Sequence, residues 1–558
     1  MPPGATLWHE PNMGSARLIG ALIWAFAPIA FAQSPTVGGL LNNYGYTLPG
    51  LPNYGIAQGS IFDVFGNDLA STTSPLLATP AKSVNGVSIS VTVNGTTTTP
   101  LIYFVSPGQI AAVLPSATPA GDGTLTVTTS AGASPPFGIQ VVPSSFGILT
   151  LNNGAGPAVG YDANNNSAAF SYTNAINPGE IVELWGTGLG PVANDATDTV
   201  VGVPVEVDIG GVPASVQYAG RSASVGLDQI NVVVPPGVSG CNVSVVVVES
   251  GVVSNFATLP VASSGRVCSD LISPFTPTVL NDLGTSGTFS YAFIDISQTS
   301  LGGASPETSW DDGIATFARM SAAEVNSGQY ALAFGQVTSI GSCNVSTFQS
   351  VGPPPPPKPP NVTYLNAGSV INIGEPGGAA TWMSPRPTNP AGDEYGIFGS
   401  CLLTCYPTFI PATGGAFTFN NGSGGEDVGP FTANLQVPAP IVWSNMNSLS
   451  SPIQRANGVT ITWTGGDSGT YVQITGSSQA RPSAQGASSA GGMFTCLAPS
   501  SASAFAVPPA VLLALPPNYG FSWLAVSNYV DPVQFTAPNI DYAFVEGYFR
   551  NIIVMAYQ

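Results

Sequence analysis

Histidine is nearly missing: the chain of 558 residues has one, His9. Most serine and cysteine nucleophiles hand their proton to a histidine, and hydrolytic zinc is usually held by histidine. The scarcity therefore removes triad hydrolysis, histidine acid–base chemistry and most hydrolytic zinc sites. Positive charge is scarce too. Ten lysines and arginines stand against 29 acids, a net charge of −19, and this balance repels nucleic acid and anionic lipid. Charged residues of both signs make up only 7% of the chain while hydrophobic residues make up 44%, so the chain can build cores but has few ion pairs to spend on its surface.

Long apolar runs are also lacking. The run Leu18–Phe31 falls short of the roughly 20 residues that a helix needs to cross a bilayer. Preceded by Arg17 and closing on Ala30-Phe31-Ala32, it has the layout of a cleaved secretory signal, residues 1–32. Its removal would take Glu10 and Arg17 together and leave the net charge at −19. The expectation is an exported chain, secreted or held at the cell surface, with no transmembrane segment after cleavage.

Export makes the cysteines candidates for disulfides. There are six, Cys241, Cys268, Cys343, Cys401, Cys405 and Cys496, which allow about 15 pairings. The pairing singled out is Cys241 with Cys268, which ties the start of one strand to the segment just after its module. Cys401 and Cys405 have near-ligand spacing, but no histidine lies nearby to complete a zinc site.

What the chain has in plenty is strand and turn, with 66 glycines and 52 prolines among strings such as VSVVVVES and GVTITWTG. It also repeats itself. Gly59-Ser-Ile-Phe-Asp-Val-Phe-Gly66 matches Gly179-Glu-Ile-Val-Glu-Leu-Trp-Gly186, Gln109-Ile110 matches Gln229-Ile230, and VTVNG at 91–95 pairs with VDIGG at 207–211. A whole domain is duplicated. Each copy offers about seven short strands, which bury their apolar faces only as two sheets packed face to face. The fold class is all-β: tandem immunoglobulin-like β-sandwiches at 33–145 and 146–264, followed by further β-sandwich domains.

The order PGE-IVELWGTGL, VDIGG with VQYAG, GLDQINVVVP, then VSVVVVESG-VVSNF resembles the tandem repeat of secreted acidobacterial (Solibacter-type) proteins, each copy similar to a divergent IPT/TIG domain. The resemblance covers about 40–262. It implies an extracellular sandwich pair, and it carries over no catalytic residues.

Beyond it, 265–350 reads as a mixed, mostly β module containing FSYAFIDIS and one short helix within SWDDGIATFARMSAAEVNSG. Residues 351–360 form a proline-rich linker or loop. Residues 361–558 read as a β-sandwich region with a split into two modules near 440, and the run PIVWSN, GVTITWTGG, MFTCLAPSSASAFAVPPAVLLALP is similar to the C-terminal region of the same secreted proteins.

Gly466-Asp467-Ser468-Gly469 repeats the GDSG string of trypsin-like proteases. With no histidine to serve it, the string reads as a hairpin turn between its flanking strands. Paired carboxylates are the remaining route to hydrolysis, but Asp311-Asp312, Asp393-Glu394 and Glu426-Asp427 are neighbours whose side chains would point to opposite faces of a strand. Asp162, Asn164 and Asn166 have the first three ligand positions of a calcium loop, though Ser167 replaces its glycine and an Asn-rich turn explains them too. Calcium is the only cofactor left open. Trp185 and Trp463 read as core, whereas Trp310 and Trp382 lie in loop-like contexts and are candidates for stacking on sugar rings.

The reading is a non-enzymatic, secreted or surface structural or binding protein, a rod of sandwiches contacting extracellular protein, matrix or polysaccharide. The alternative is a histidine-free, carboxylate-dependent polysaccharide hydrolase.

Overall fold

In the computed structural model of the protein, the residues described are 33–164, 169–195, 204–270, 276–283, 287–302, 308–328, 338–349, 362–388, 392–398, 409–480, 489–518 and 522–558. The expected signal 1–32, the proline-rich 351–360, Cys401, Cys405 and Asn166 lie outside them.

The first module follows from strand alternation. In Ser88–Val93 the residues Ile89, Val91 and Val93 are buried while the intervening polar ones are half-buried. Asn94 (φ 50°) and Gly95 (φ 78°) then turn the chain straight back into Thr96–Thr98, the left-handed pair that a two-residue hairpin requires. One sheet orders Thr36–Asn42, Ile61–Asn67, Gln109–Val113 and Leu101–Val105; the facing sheet includes Phe137–Val142, Gly121–Thr129 and Ser88–Val93. Phe62, Val64, Ile110, Val91, Leu125 and Val127 fill the space between.

In the second module the strand Val212–Arg221 joins both sheets. Its first residues pair with Val205–Ile209, and from Ser215 onward it pairs with Asp228–Val233, with a register shift between Val216 and Tyr218. A bulge of this kind bends a strand from one sheet into the other. Trp185 is corrected here. It is half-buried, because Val182 and Leu184 take the core-facing positions of Ile181–Thr187; its repeat partner Phe65 holds the matching register, each opposite a glutamine, Gln229 and Gln109, but is buried.

A 14-stranded sheet organises the rest of the chain. Thr288–Leu301 pairs in parallel with Tyr542–Val554, from Tyr291↔Tyr542 to Leu301↔Ile552, and Cys343–Gln349 pairs with Ala490–Pro499. Strands from 265–350 and from 361–558 therefore share one sheet, and the expected division at 351–360 does not separate two sheets. One core on this sheet contains Ile294, Phe317, Phe417 and Val437; another contains Ile441, Trp463, Ile474 and Val526. The short helix expected within SWDDGIATFARMSAAEVNSG is Ala322–Asn326, and the part of that string before it lies on the strand Thr308–Ser321.

The modules are not beads on a free rod. Val246, Val253 and Phe256 of the second module enter the core of Val345, Ile474 and Phe494. Tyr172, Cys241 and Cys268 enter that of Tyr291, Tyr542 and Phe544. Cys241 is bonded to Cys268 as singled out, and Cys343 to Cys496 across paired strands.

Candidate functional site

The site is built on the face of the large sheet that points away from Ile294, Ile296, Val545 and Phe549. Directly paired residues of neighbouring strands lie on the same face. The row Phe398, Asp312, Ser297, Tyr548, Tyr529, Tyr471 runs across six strands as consecutive register partners. Trp382, two residues before Ser384 on the next strand, presents its side chain to the same face by strand periodicity.

The open end of the row is aromatic and exposed: Trp382 at 57% and Phe398 at 46%. Arg386 lies 4.1 Å over the Phe398 ring. Gly396 leaves room for this, since a Cβ there would meet the ring at 2.3 Å and the Arg386 side chain at 2.7 Å. Trp310 is half-buried, and its indole N–H donates to Asp312 Oδ2 at 2.9 Å. Of the two tryptophan candidates, Trp382 is free to take a stacking partner, while Trp310 positions a carboxylate.

The other end is a stack of tyrosines. Tyr529 lies 4.1 Å from Tyr548 and 5.4 Å from Tyr471, ring centre to ring centre, the planes within 24° and 11° of parallel. All three are buried and pack with Leu497, and the Tyr529 hydroxyl donates to Gln473 Oε1 at 3.3 Å, so this end of the row is core rather than a platform. Arg550 donates from Nη2 to the Tyr548 hydroxyl at 3.1 Å.

Beside this row stand Asp295 and Glu546, register partners on the parallel strands. Both are half-buried. Burial, then the neighbouring charge of Asp312, pushes Asp295 up to about 7 against the pull of Arg550. Burial and then Asp295 hold Glu546 well above the ordinary carboxylate range. Two carboxyls so placed keep a proton at neutral pH because both cannot ionise cheaply.

The adjacent acids divide as strand geometry requires. Asp311 faces the core, accepting from Gln298 Nε2 at 2.9 Å and from the Ile410 amide at 2.6 Å, and Asp312 faces the row. Asp427 accepts from the Asn366 amide at 2.8 Å. Glu394 lies on the strand Gly392–Phe398, where it accepts from Thr316 Oγ1 at 3.4 Å.

The calcium reading of Asp162 and Asn164 meets a competitor. Arg266 Nη1 lies 2.8 Å from Asp162 Oδ2 and binds Glu180 through both nitrogens, and Asn164 Oδ1 accepts from the Ile181 amide. The loop's charge is already met by an arginine. The GDSG turn is exposed, but its flanking strands, Val459–Thr464 and Tyr471–Gln479, lie in different sheets. It is a connection between sheets and not the expected hairpin.

Sequence reasoning missed Asp295, Glu546, Tyr471, Tyr529, Tyr548 and Phe398. The alternation Asp295/Ser297 and Glu546/Tyr548/Arg550 is visible in the strings, but nothing local says that the two strands meet.

Sheet order and packing define an all-β protein of tandem immunoglobulin-like sandwiches followed by further β-sandwich structure. No family model and no curated protein matches the chain. Among solved structures, it is similar to the gamma-CGTase of Alkalophilic bacillus clarkii at 12% identity, over 47% of this chain and 34% of that one, with a TM-score of 0.16. It is similar to SGBP-B of a Bacteroides ovatus mixed-linkage glucan utilization locus, solved with a mixed-linkage heptasaccharide, at 12% identity over 76% of this chain and 77% of that one, TM-score 0.12. Domains A168–A170 of titin match at 11% identity over 72% and 94%, TM-score 0.13. Scores this low carry no argument about function.

Proposed function

We propose that this is an exported binding protein, secreted or held at the cell surface, whose contact face is the open end of the row, Trp382 and Phe398 with Asp312 beside them, and whose ligand is a polysaccharide. Its first two modules are read as copies of a divergent IPT/TIG domain of the acidobacterial type. The observation that carries the binding reading is the union, on one sheet face, of the exposed aromatics Trp382 and Phe398 with the half-buried carboxylate of Asp312. Sugars are recognised by that combination, an apolar ring face against C–H groups and charged acceptors on hydroxyls. Two disulfides support an oxidising compartment. The test is a glycan and matrix binding array with the purified protein, with calcium and with chelator, comparing wild type and Trp382→Ala. Retention of a polysaccharide by wild type and its loss in the variant is expected; silence of the wild type under both conditions counts against the reading.

A second reading is favoured by one observation. Asp295 and Glu546 stand side by side with raised pKa values, the relation that a carboxylate-dependent glycoside hydrolase requires of its acid and its partner. Turnover of a polysaccharide that disappears in both Asp295→Asn and Glu546→Gln would favour it over binding alone.

A further inference from the structure

The junction between the first and second modules is polar. Asn42 Nδ2 donates to the carbonyls of Ser145 and Thr187 at 3.0 and 3.1 Å, the Ile61 amide donates to Thr187 Oγ1 at 2.8 Å, and the Tyr103 hydroxyl donates to the Val225 carbonyl at 2.9 Å. Ser116 binds Asp195 through its amide and its hydroxyl. Arg221, 1% exposed, donates from Nε to Asp228 Oδ1 at 2.8 Å, and Asp228 Oδ2 accepts from the Gly188 and Leu189 amides.

Glu249 breaks this pattern. It ends the strand Gly240–Glu249, is 1% exposed, and neither carboxyl oxygen has a hydrogen-bond partner. The strand pairs it with Val252. The next residue, Val253, accepts from Asn53 Nδ2 of the first module at 2.8 Å, which places Glu249 beside the contact between modules. The Asn53 side-chain oxygen is also buried without a partner. Burying an ionised carboxyl without a counter-charge costs far more than burying a neutral one.

We propose that this junction is a proton-operated latch: the modules seat on each other with Glu249 neutral, and ionisation of Glu249 releases the first module's 43–58 segment. The charges around it point the same way. Asp228 of the second module acts on Glu249 and also on Tyr44 of the first, and Asp63 and Tyr103 of the first module act on that same tyrosine. Arg221, the cation among the described residues here, is held by Asp228 and lies 3.6 Å from Asp195, leaving none for Glu249. Burial first, then Asp228, raises Glu249 from 4.5 to about 8, and the Ser144 side chain softens the rise without a hydrogen bond of good geometry. Asp63 is raised by burial to about 6.

The sign follows from proton binding. The seated form holds a proton that the open form releases, so seating is strongest below the open-state value of 4.5 and weakens as pH rises to about 8, beyond which it is constant. The limit is about tenfold per pH unit within that window.

The test is hydrogen exchange of the full chain, read as protection factors corrected for intrinsic rates. The wild type is expected to lose up to about 100-fold protection in 43–58 between pH 6 and pH 8, the limit for two pH units, and Glu249→Gln, which mimics the neutral acid, is expected to stay flat. Glu249→Met serves if the Gln variant does not fold. Asp63→Asn is expected to retain most of the dependence. A flat wild type, or a loss that survives in Glu249→Gln and vanishes in Asp63→Asn, overturns the proposal.

Discussion

Asp295 and Glu546, drawn from strands near opposite ends of the second half of the chain, are direct register partners on parallel strands and face the same way. Glu546 is held up by burial and by Asp295, and Asp295 is pushed to about 7 by burial and Asp312 against the pull of Arg550. Both carboxyls thus take up protons on folding, and folding stability is highest below their unfolded values near 4 and is lost as pH rises toward 7 and above. Glu546→Gln removes one of the two. It is expected to raise the melting temperature at pH 8 and to leave it nearly unchanged at pH 4, as read by calorimetry at both pH values.

Trp382 is the most exposed tryptophan of the row, at 57%, and a side chain that solvent already surrounds contributes little to folding. Trp382→Ala is expected to change stability by under about 0.5 kcal/mol, the usual range for surface substitutions, while abolishing polysaccharide retention. Denaturant melts and affinity electrophoresis on the same preparations check the two halves of this expectation. A stability loss of several kcal/mol would show instead that the indole packs against the protein.

Much of the first half is legible residue by residue. The alternation of Ile89, Val91 and Val93, the Asn94-Gly95 turn and the Cys241–Cys268 bond all express short-range rules. The site is not legible, because its row depends on pairing Thr288–Leu301 with Tyr542–Val554, and parallel pairing over such a separation leaves no local signature. Trp185 misled for a related reason. Its repeat partner is apolar as well, yet both stand on the outer side of their strands, and apolar identity alone does not fix the face. The strands flanking Gly466 and Ser468 alternate as a hairpin would, but each found its partners elsewhere.

The Cys343–Cys496 bond closes 153 residues of sequence separation, whereas Cys241–Cys268 closes 27. Chain entropy restrained in the unfolded state grows with the logarithm of loop length, giving about 5 kcal/mol for the first and about 3.5 for the second. The double variant Cys343→Ser/Cys496→Ser is therefore expected to lower the denaturant midpoint more than Cys241→Ser/Cys268→Ser. Urea melts under non-reducing conditions check the order, and adding reductant should erase the difference.

Arg221 and Asp228 form an ion pair with side chains 1% and 0% exposed. Each was taken out of water at a large cost, and the pair compensates that cost only while both members are present. Burial raises Asp228 while Arg221 and the Leu189 and Gly188 amides hold it down. Arg221→Met leaves a buried carboxylate with only its amide partners, and it is expected to destabilise the protein by about 3–5 kcal/mol at pH 7. The loss should shrink as pH falls and Asp228 takes a proton. The double variant Arg221→Met/Asp228→Leu removes both charges and is expected to recover most of the stability, because an apolar pair of similar volume needs no compensation. Urea melts of the wild type, Arg221→Met, Asp228→Leu and the double variant form a double-mutant cycle. A double variant as unstable as Arg221→Met would show that the arginine acts mainly through packing against Gly59, where an added Cβ would already lie 2.8 Å from its Nη2.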